Sequence, residues 1–308
     1  MKRILITGSN GLLGQKLLKL FSKSAYQKKY KIIACSRGDD RYIDTGYDFI
    51  SLDITDQDAV EKVISEQKPD YVIHTAAITR VDDCENDREK AIQTNQNATT
   101  YLLAACEKIG SFFLYVSTDF IFSGEKSMLI EEDEAEPVNF YGETKLWSEK
   151  ATMKYKHDWA IARTVLVYGV VKDMSRSNLL LWVEKSLKNN TPIKVVSDQW
   201  RTPTYADDLA LGCALIIENH AKGIFHISGE ELMTPYDMAI QTADYLGLDK
   251  NLISATNASE FKEVGKRPPK TGFNIQKAKT TLGFQPLSFF EGMKKMFEET
   301  SIISKSEY

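Results

Sequence analysis

Apolar and polar positions in the first half of the chain follow two alternating periods. Short runs rich in β-branched and aromatic residues at Arg3 to Thr7, Lys31 to Ser36, Tyr71 to Thr75, Phe112 to Ser117 and Trp159 to Leu166 read as strands. Between them, apolar residues recur every three or four positions over Gly11 to Lys23, Asp56 to Glu66, Glu89 to Ile109 and Tyr141 to Met153, which predicts amphipathic helices. Strands separated by helices of this length imply a parallel sheet covered on both faces, an α/β doubly wound fold. The second half is less regular. Ile224 to Ser228 reads as a late strand, Met233 to Leu246 as a helix opened near Thr234 and Pro235, and Phe289 to Glu299 as a terminal helix followed by a frayed tail, Ser301 to Tyr308.

A chain of 308 residues exceeds one compact core, so two closely joined units are expected. With 43% hydrophobic and 27% charged residues, and no apolar run near the roughly 20 residues that span a bilayer, a membrane role is not expected. The short apolar run at the N-terminus enters a glycine turn instead of a cleavage site, which points to a cytoplasmic protein. Cys35, Cys84, Cys106 and Cys213 are scattered, without metal-ligand spacing, and read as reduced thiols; no metal is expected. A net charge of −4 argues against nucleic acid as a partner. The acidic stretch Glu131 to Glu136 reads as a solvated loop before Pro137.

The segment ILITGSNGLLG places an apolar strand, a turn and a helix start in the order that a dinucleotide pyrophosphate requires. Glycines at 8, 11 and 14 permit the turn, the close backbone approach and the packing of helix on strand, while Ser9, Asn10, Leu12 and Leu13 supply amides at a positive helix end. The second strand ends at Ser36 and Arg37, where a hydroxyl beside a guanidinium suits a 2′-phosphate, so NADP(H) is favoured over NAD(H). Asp53 and Ile54 fall where the adenine would be met, and Ala76 and Ala77 leave room for the dinucleotide to lie across them. The chain thus divides into a dinucleotide-binding Rossmann-type domain over residues 1–168, with a return near 204–225, and a smaller α/β substrate-binding region over 169–308.

Reduction of a carbonyl by hydride needs a proton donor, and a tyrosine serves if a nearby cation lowers its pKa from about 10. Tyr141 and Lys145 lie four apart on a predicted helix and share a face. Tyr168 and Lys172 have the same spacing, but they sit beyond a strand at a glycine turn, where side chains four apart need not meet. Thr118, at a strand end, is expected to hydrogen-bond the substrate carbonyl, with Ser117 as its rival on the opposite face. Asn95 is expected to link Lys145 to solvent through a water or a backbone carbonyl. His74, flanked by apolar residues, reads as a satisfied core histidine.

These pieces together, with HTAAITRVDDCE, YVSTDFIFSG, YGETK, SDQWRTPTYADDLA, GIFHISG and the RPP run at Arg267, resemble the extended short-chain dehydrogenase/reductases and, among them, the dTDP-4-dehydrorhamnose reductases. The G-x-x-G-x-x-G spacing fits the same group. The resemblance implies a Thr118, Tyr141, Lys145 triad, substrate contacts at Thr79, Val81, Asp119, Phe120, Arg201, Thr202 and Arg267, and NADPH-dependent reduction of the 4-keto group of a nucleotide-activated 6-deoxy sugar. It also implies a homodimer. Phe120, Leu166 and Arg201 depart from the residues common in that group, which are Tyr, Trp and a small residue; the added guanidinium suggests a pocket for an anionic or hydroxyl-rich ligand. Two other readings remain open at this point: an NAD-bound sugar-nucleotide epimerase or dehydratase, and a non-catalytic NADP-binding regulatory protein like the methionine adenosyltransferase beta subunit.

Overall fold

The computed structural model describes residues 1–42, 45–174, 177–262 and 264–306. Its strands are, in chain order, β1 (Lys2–Thr7), β2 (Tyr30–Ser36), β3 (Tyr47–Ser51), β4 (Tyr71–His74), β5 (Phe112–Thr118) and β6 (Trp159–Thr164). They continue with β7 (Val167–Tyr168), β8 (Ile193–Val196), β9 (Thr204–Tyr205), β10 (Gly223–His226) and β11 (Ile253–Thr256). The helices are α1 (Leu12–Phe21), α2 (Ser24–Gln27), α3 (Gln57–Gln67), α4 (Val81–Asn86), α5 (Arg88–Ala91), α6 (Ala98–Glu107) and α7 (Phe140–Met153). After them come α8 (Leu179–Lys188), α9 (Ala206–Glu218), α10 (Pro235–Leu246), α11 (Gln276–Leu282) and α12 (Phe289–Ser306).

Seven parallel strands make the central sheet in the order β10-β6-β5-β4-β1-β2-β3. The strands inside the sheet are buried on both faces, and the alternation of side chains divides the core in two. Ile4 and Ile6 of β1 pack with Leu17 and Leu18 of α1 and Leu209 and Cys213 of α9. Leu5, between them, joins Val60 and Ile64 of α3 and Leu102 of α6 on the other side. Each such side chain contributes roughly 1.5–3 kcal/mol by leaving water. The strand order reverses on either side of β1, and the crevice at the carboxyl ends of β1 and β4 is where an open α/β sheet takes a ligand.

The second half supplies β10 to this sheet and α9 to its face, and builds two small units of its own. β8 and β11 pair beneath α8 and α10 around Val183, Ile193 and Ala239. α10 is started by a capping box in which Thr234 and Asp237 bond each other's backbone amide. α12 closes a third cluster around Tyr168, Tyr205 and Met293. No helix among the described residues is long and apolar enough to cross a membrane.

Four readings of the sequence need correction. β3 was not expected: among the described residues it is an edge strand bonded only to β2, and its residues are half-buried or exposed, so it lacks a continuous apolar run. The helix expected over Glu89 to Ile109 is broken, with a π-helical turn at Ile92–Asn97 between α5 and α6. The terminal helix does not stop at Glu299. It runs to Ser306, because Glu299 bonds Lys16 (2.5 Å) and Lys19 (2.7 Å) of α1 and Ile303 packs into the core beneath α12; Glu307 and Tyr308 lie outside the described residues. The acidic stretch is not wholly solvated. Glu131 is 7% exposed and accepts a hydrogen bond from the His226 amide at 2.8 Å, and burial raises its pKa.

Candidate active site

β1 delivers the chain into the glycine turn, and the turn's tightness explains its composition. Gly8 has φ +69°, and a Cβ there would stand 2.9 Å from the Ala76 backbone. A Cβ on Gly14 would come within 2.3 Å of the Gly8 carbonyl oxygen. α1 starts at Leu12 after Gly11, which offers no side-chain cap to its first amides. Ser9 is fully buried and its Oγ has no partner among the described residues. Uncapped amides and an orphan hydroxyl at a helix N-terminus fit a pyrophosphate.

Asn10 does more than supply an amide to this turn. Its Oδ1 accepts from the Arg41 amide (3.0 Å) and its Nδ2 donates to the Asp39 carbonyl (2.8 Å), so it shapes the loop that carries Arg37. Ser36 is half-buried and Arg37 exposed at the end of β2. Asp40 is held by Tyr47 Oη (2.7 Å) and the Tyr42 amide (3.1 Å). Asp53 accepts from the amide and hydroxyl of Thr55; burial alone would raise its carboxyl, but these bonds and Arg37 outweigh it and hold the pKa below the ordinary value. Ile54 is buried beside it, and Ala76 and Ala77 lie half-buried in the loop after β4.

α7 brings Tyr141 and Lys145 to the carboxyl end of β5. Asn139 caps this helix through the Gly142 amide at 2.8 Å, and a Cβ on Gly142 would strike the Phe120 carbonyl. Lys145 is 4% exposed; its Nζ donates to the Val116 carbonyl at 2.8 Å and stands 4.1 Å from the centre of the Tyr115 ring. Burial pushes its ammonium down to about 7, against the pull of Glu149 and Cys84. Tyr141 is buried one turn earlier, with the Phe120 ring edge-on at 6.0 Å. By contrast, Tyr168 lies in β7, buried in the core that α12 closes, and Lys172 lies outside any helix.

Thr118 accepts from the Phe120 amide (3.2 Å) and donates to Asp119 Oδ1 (3.1 Å), so its one proton points at a carboxylate in this state. Ser117, its rival, carries a buried Oγ without a partner among the described residues. Asn95, on the π-helical turn, is 1% exposed and is not a surface residue. It clasps the backbone of Ile78 by both its amide (2.8 Å) and its carbonyl (3.0 Å), and donates to Thr144 Oγ1 at 3.0 Å. Asn95 therefore fastens the loop of Ala76 and Ala77 to α7. His74 lies between Thr7 (2.8 Å) and Thr99 (3.1 Å), and burial pushes its pKa down to about 3.

The residues expected to meet the substrate divide into several groups. Thr79 is exposed on the loop before α4 and Val81 is buried with Tyr141 and Cys84. Arg267 forms a bidentate pair with Asp82, at 2.8 and 2.9 Å, and this hydrogen bonding lowers the Asp82 carboxyl to about 2. Thr202 is fully buried and bonds Ser228 Oγ (3.1 Å) and the Phe273 amide (3.0 Å). Arg201 is not the open guanidinium that the sequence suggested. It is 4% exposed and donates to the carbonyls of Trp200 (2.8 Å), Pro268 (2.6 Å) and Pro269 (3.1 Å). Asp119, 2% exposed, has its carboxyl raised by burial, against Arg201, Thr271 and Thr118. Sequence reasoning missed Thr271, Asp82 and Gln15, which bridges the Asn10 and Lys172 carbonyls; no local pattern marks them.

The model of the family described as RmlD substrate binding domain matches residues 1–302. The chain belongs to this family. Within the extended short-chain dehydrogenase/reductases, it is 30% identical over 308 residues to dTDP-4-dehydrorhamnose reductase of Aggregatibacter actinomycetemcomitans, covering 96% of this chain and 98% of that protein. It is 32% identical over 274 residues to methionine adenosyltransferase 2 subunit beta of Bos taurus, covering 87% and 79%. The solved dTDP-4-dehydrorhamnose reductase of Bacillus anthracis in complex with NADP superposes with a TM-score of 0.84 at 28% identity, over 97% of this chain and 100% of that one.

In this member of the RmlD substrate binding domain family the glycine turn allows a direct test. Gly14→Ala puts a methyl 2.3 Å from the Gly8 oxygen and 2.6 Å from Ser9 Cα, both backbone atoms that cannot rotate away. Overpacking of this kind costs about 1–3 kcal/mol, and opening the turn should weaken NADPH at least tenfold in a fluorescence titration. An unchanged dissociation constant would show that the turn is not the site.

Proposed function

We propose that this chain is an NADP(H)-dependent reductase acting on the 4-keto group of a nucleotide-activated 6-deoxy sugar, with Tyr141 as proton donor. The class, an NAD(P)-dependent oxidoreductase, is that of its reductase relatives. The observation that carries the reading is the buried Tyr141 one helical turn before Lys145, whose ammonium reaches the Val116 carbonyl at the end of β5. The bound dinucleotide supplies the hydride. The chain's own residues do the rest: Tyr141 releases a proton to the new alkoxide, Lys145 stabilises the phenolate left behind, and Thr118 turns its hydroxyl from Asp119 to the substrate oxygen. Asn95 holds the loop over which the dinucleotide lies.

Arg37, on the loop that Asn10 shapes, supports NADPH over NADH. A charge-assisted hydrogen bond to a 2′-phosphate contributes about 1.5–3 kcal/mol, so Arg37→Met should raise the NADPH dissociation constant about tenfold or more and leave that of NADH alone. Equal losses for both cofactors would remove Arg37 from that role. Nucleotide-linked 4-keto sugars assayed with NADPH and NADH side by side test the whole reading; no turnover with any of them overturns it. A non-catalytic regulatory role is the second reading, favoured by the 32% identity to methionine adenosyltransferase 2 subunit beta. A stable partner recovered by pull-down, together with a blank redox assay, would select it. Four free, buried cysteines support a reducing, cytoplasmic setting, and a homodimer is part of the same proposal.

A further inference from the structure

A buried charge pair lies behind the candidate site; it bonds Thr118 directly and reaches Tyr141 only through the Phe120 ring. Asp119 opens the 3-10 turn Asp119–Ile121 directly after β5. One carboxylate oxygen accepts from Thr118 Oγ1 at 3.1 Å. The other accepts from Thr271 Oγ1 and lies 3.8 Å from Arg201 Nε. The Arg201 guanidinium stands 5.7 Å from the centre of the Phe120 ring, and the Phe120 ring stands 6.0 Å from that of Tyr141. Three carbonyls of the 200–269 region hold the same guanidinium in place. A continuous line of contacts therefore runs from the two prolines of the RPP run, through Arg201 and Phe120, to the Tyr141 ring, with a branch through Asp119 to the Thr118 hydroxyl.

We infer that Asp119 and Arg201 are positioning residues for the reduction: they fix Thr118 and Phe120, and through Phe120 the Tyr141 ring, without themselves contacting substrate. This rests on the reductase reading. Two observations favour positioning over substrate contact. Both side chains are under 5% exposed, and both carboxylate oxygens of Asp119 are already engaged by this chain. The guanidinium also draws the carboxylate's charge toward Nε, which eases the turn of the Thr118 hydroxyl away from Asp119 toward a keto oxygen. A site displaced by about 1 Å can lose 10²-fold in rate with binding intact.

The test is a panel of Asp119→Asn, Arg201→Met and Arg201→Lys, measured for thermal midpoint, NADPH dissociation constant, and kcat and KM on the keto sugar that the wild type reduces. Positioning predicts that kcat falls at least tenfold in Asp119→Asn and Arg201→Met, while KM and NADPH binding stay within about threefold. Arg201→Lys should recover part of kcat, because it keeps the charge beside Asp119 but loses the planar fork. A rise in KM with kcat unchanged would make the pair a substrate contact and overturn the inference. So would a lower thermal midpoint with wild-type kcat per folded molecule. A wild type inert on every keto sugar would instead overturn the reductase reading, and the inference with it.

Discussion

Tyr141→Phe is expected to lower kcat for keto-sugar reduction by about 10²–10⁴-fold, the range that one general acid contributes. The substitution removes a single oxygen. The remaining ring keeps its place beside Phe120, 6.0 Å away, and the Lys145 bond to the Val116 carbonyl does not involve the phenol. Folding and NADPH affinity should therefore be unchanged. In the proposed mechanism the phenol depends on a charged lysine one turn along, and burial has pushed that lysine down to about 7. The charged form is the supporting one, so the rate should decline as pH rises through the Lys145 pKa. Steady-state kinetics with NADPH binding measured in parallel decide the matter; retention of kcat within tenfold would assign the proton to another group.

The second large effect concerns stability. Arg163 of β6 is 3% exposed and Glu149 of α7 is fully buried; they meet through Nε (3.0 Å) and a second nitrogen (2.8 Å). Arg163 also donates to the Glu131 carbonyl at 3.1 Å, which ties the acidic stretch to the sheet. Arg163→Met leaves the Glu149 carboxylate buried and uncompensated, a loss of about 3–5 kcal/mol. Removing both charges, as Glu149→Gln with Arg163→Met, should recover part of it, because neither member of the pair then stays buried as an ion without the other, although Lys145 loses the support of Glu149. Urea titrations of the three proteins measure this, and a single-variant loss below about 1 kcal/mol would mean that water reaches Glu149. Glu149 lies one turn beyond Lys145 and supports its charge, so the same pair anchors α7, which carries Tyr141 and Lys145, to β6.

How much of this was legible depends on the distance in sequence over which each feature is encoded. The helix carrying Tyr141 and Lys145 was expected from Tyr141 and begins at Phe140, because its apolar period is a local signal. β3 escaped because an edge strand needs only one buried side and shows no apolar run. The π-helical turn at Ile92–Asn97 escaped because no residue pattern announces one extra residue in a helix; it orients Asn95 toward Ile78. Arg201 was read as a ligand-facing cation because it stands where the resembled reductases commonly carry a small residue, and a guanidinium binds anions bidentately. Its counter-ion Asp119 and the Pro268 and Pro269 carbonyls that hold it are remote in the chain, whereas the Trp200 carbonyl is adjacent.

The sequence by itself determined the parallel sheet, the glycine turn and the shared face of Tyr141 and Lys145. Each rests on spacings of two to four residues, which backbone geometry converts directly into position. Tertiary structure alone decided which charges face the site and which face each other. Arg267 pairs with Asp82 across 185 positions, and Asp119 with Thr271 across 152. Such pairs form because burial makes an unpartnered charge or hydroxyl costly, and the folded chain, not the local pattern, determines which groups are buried together.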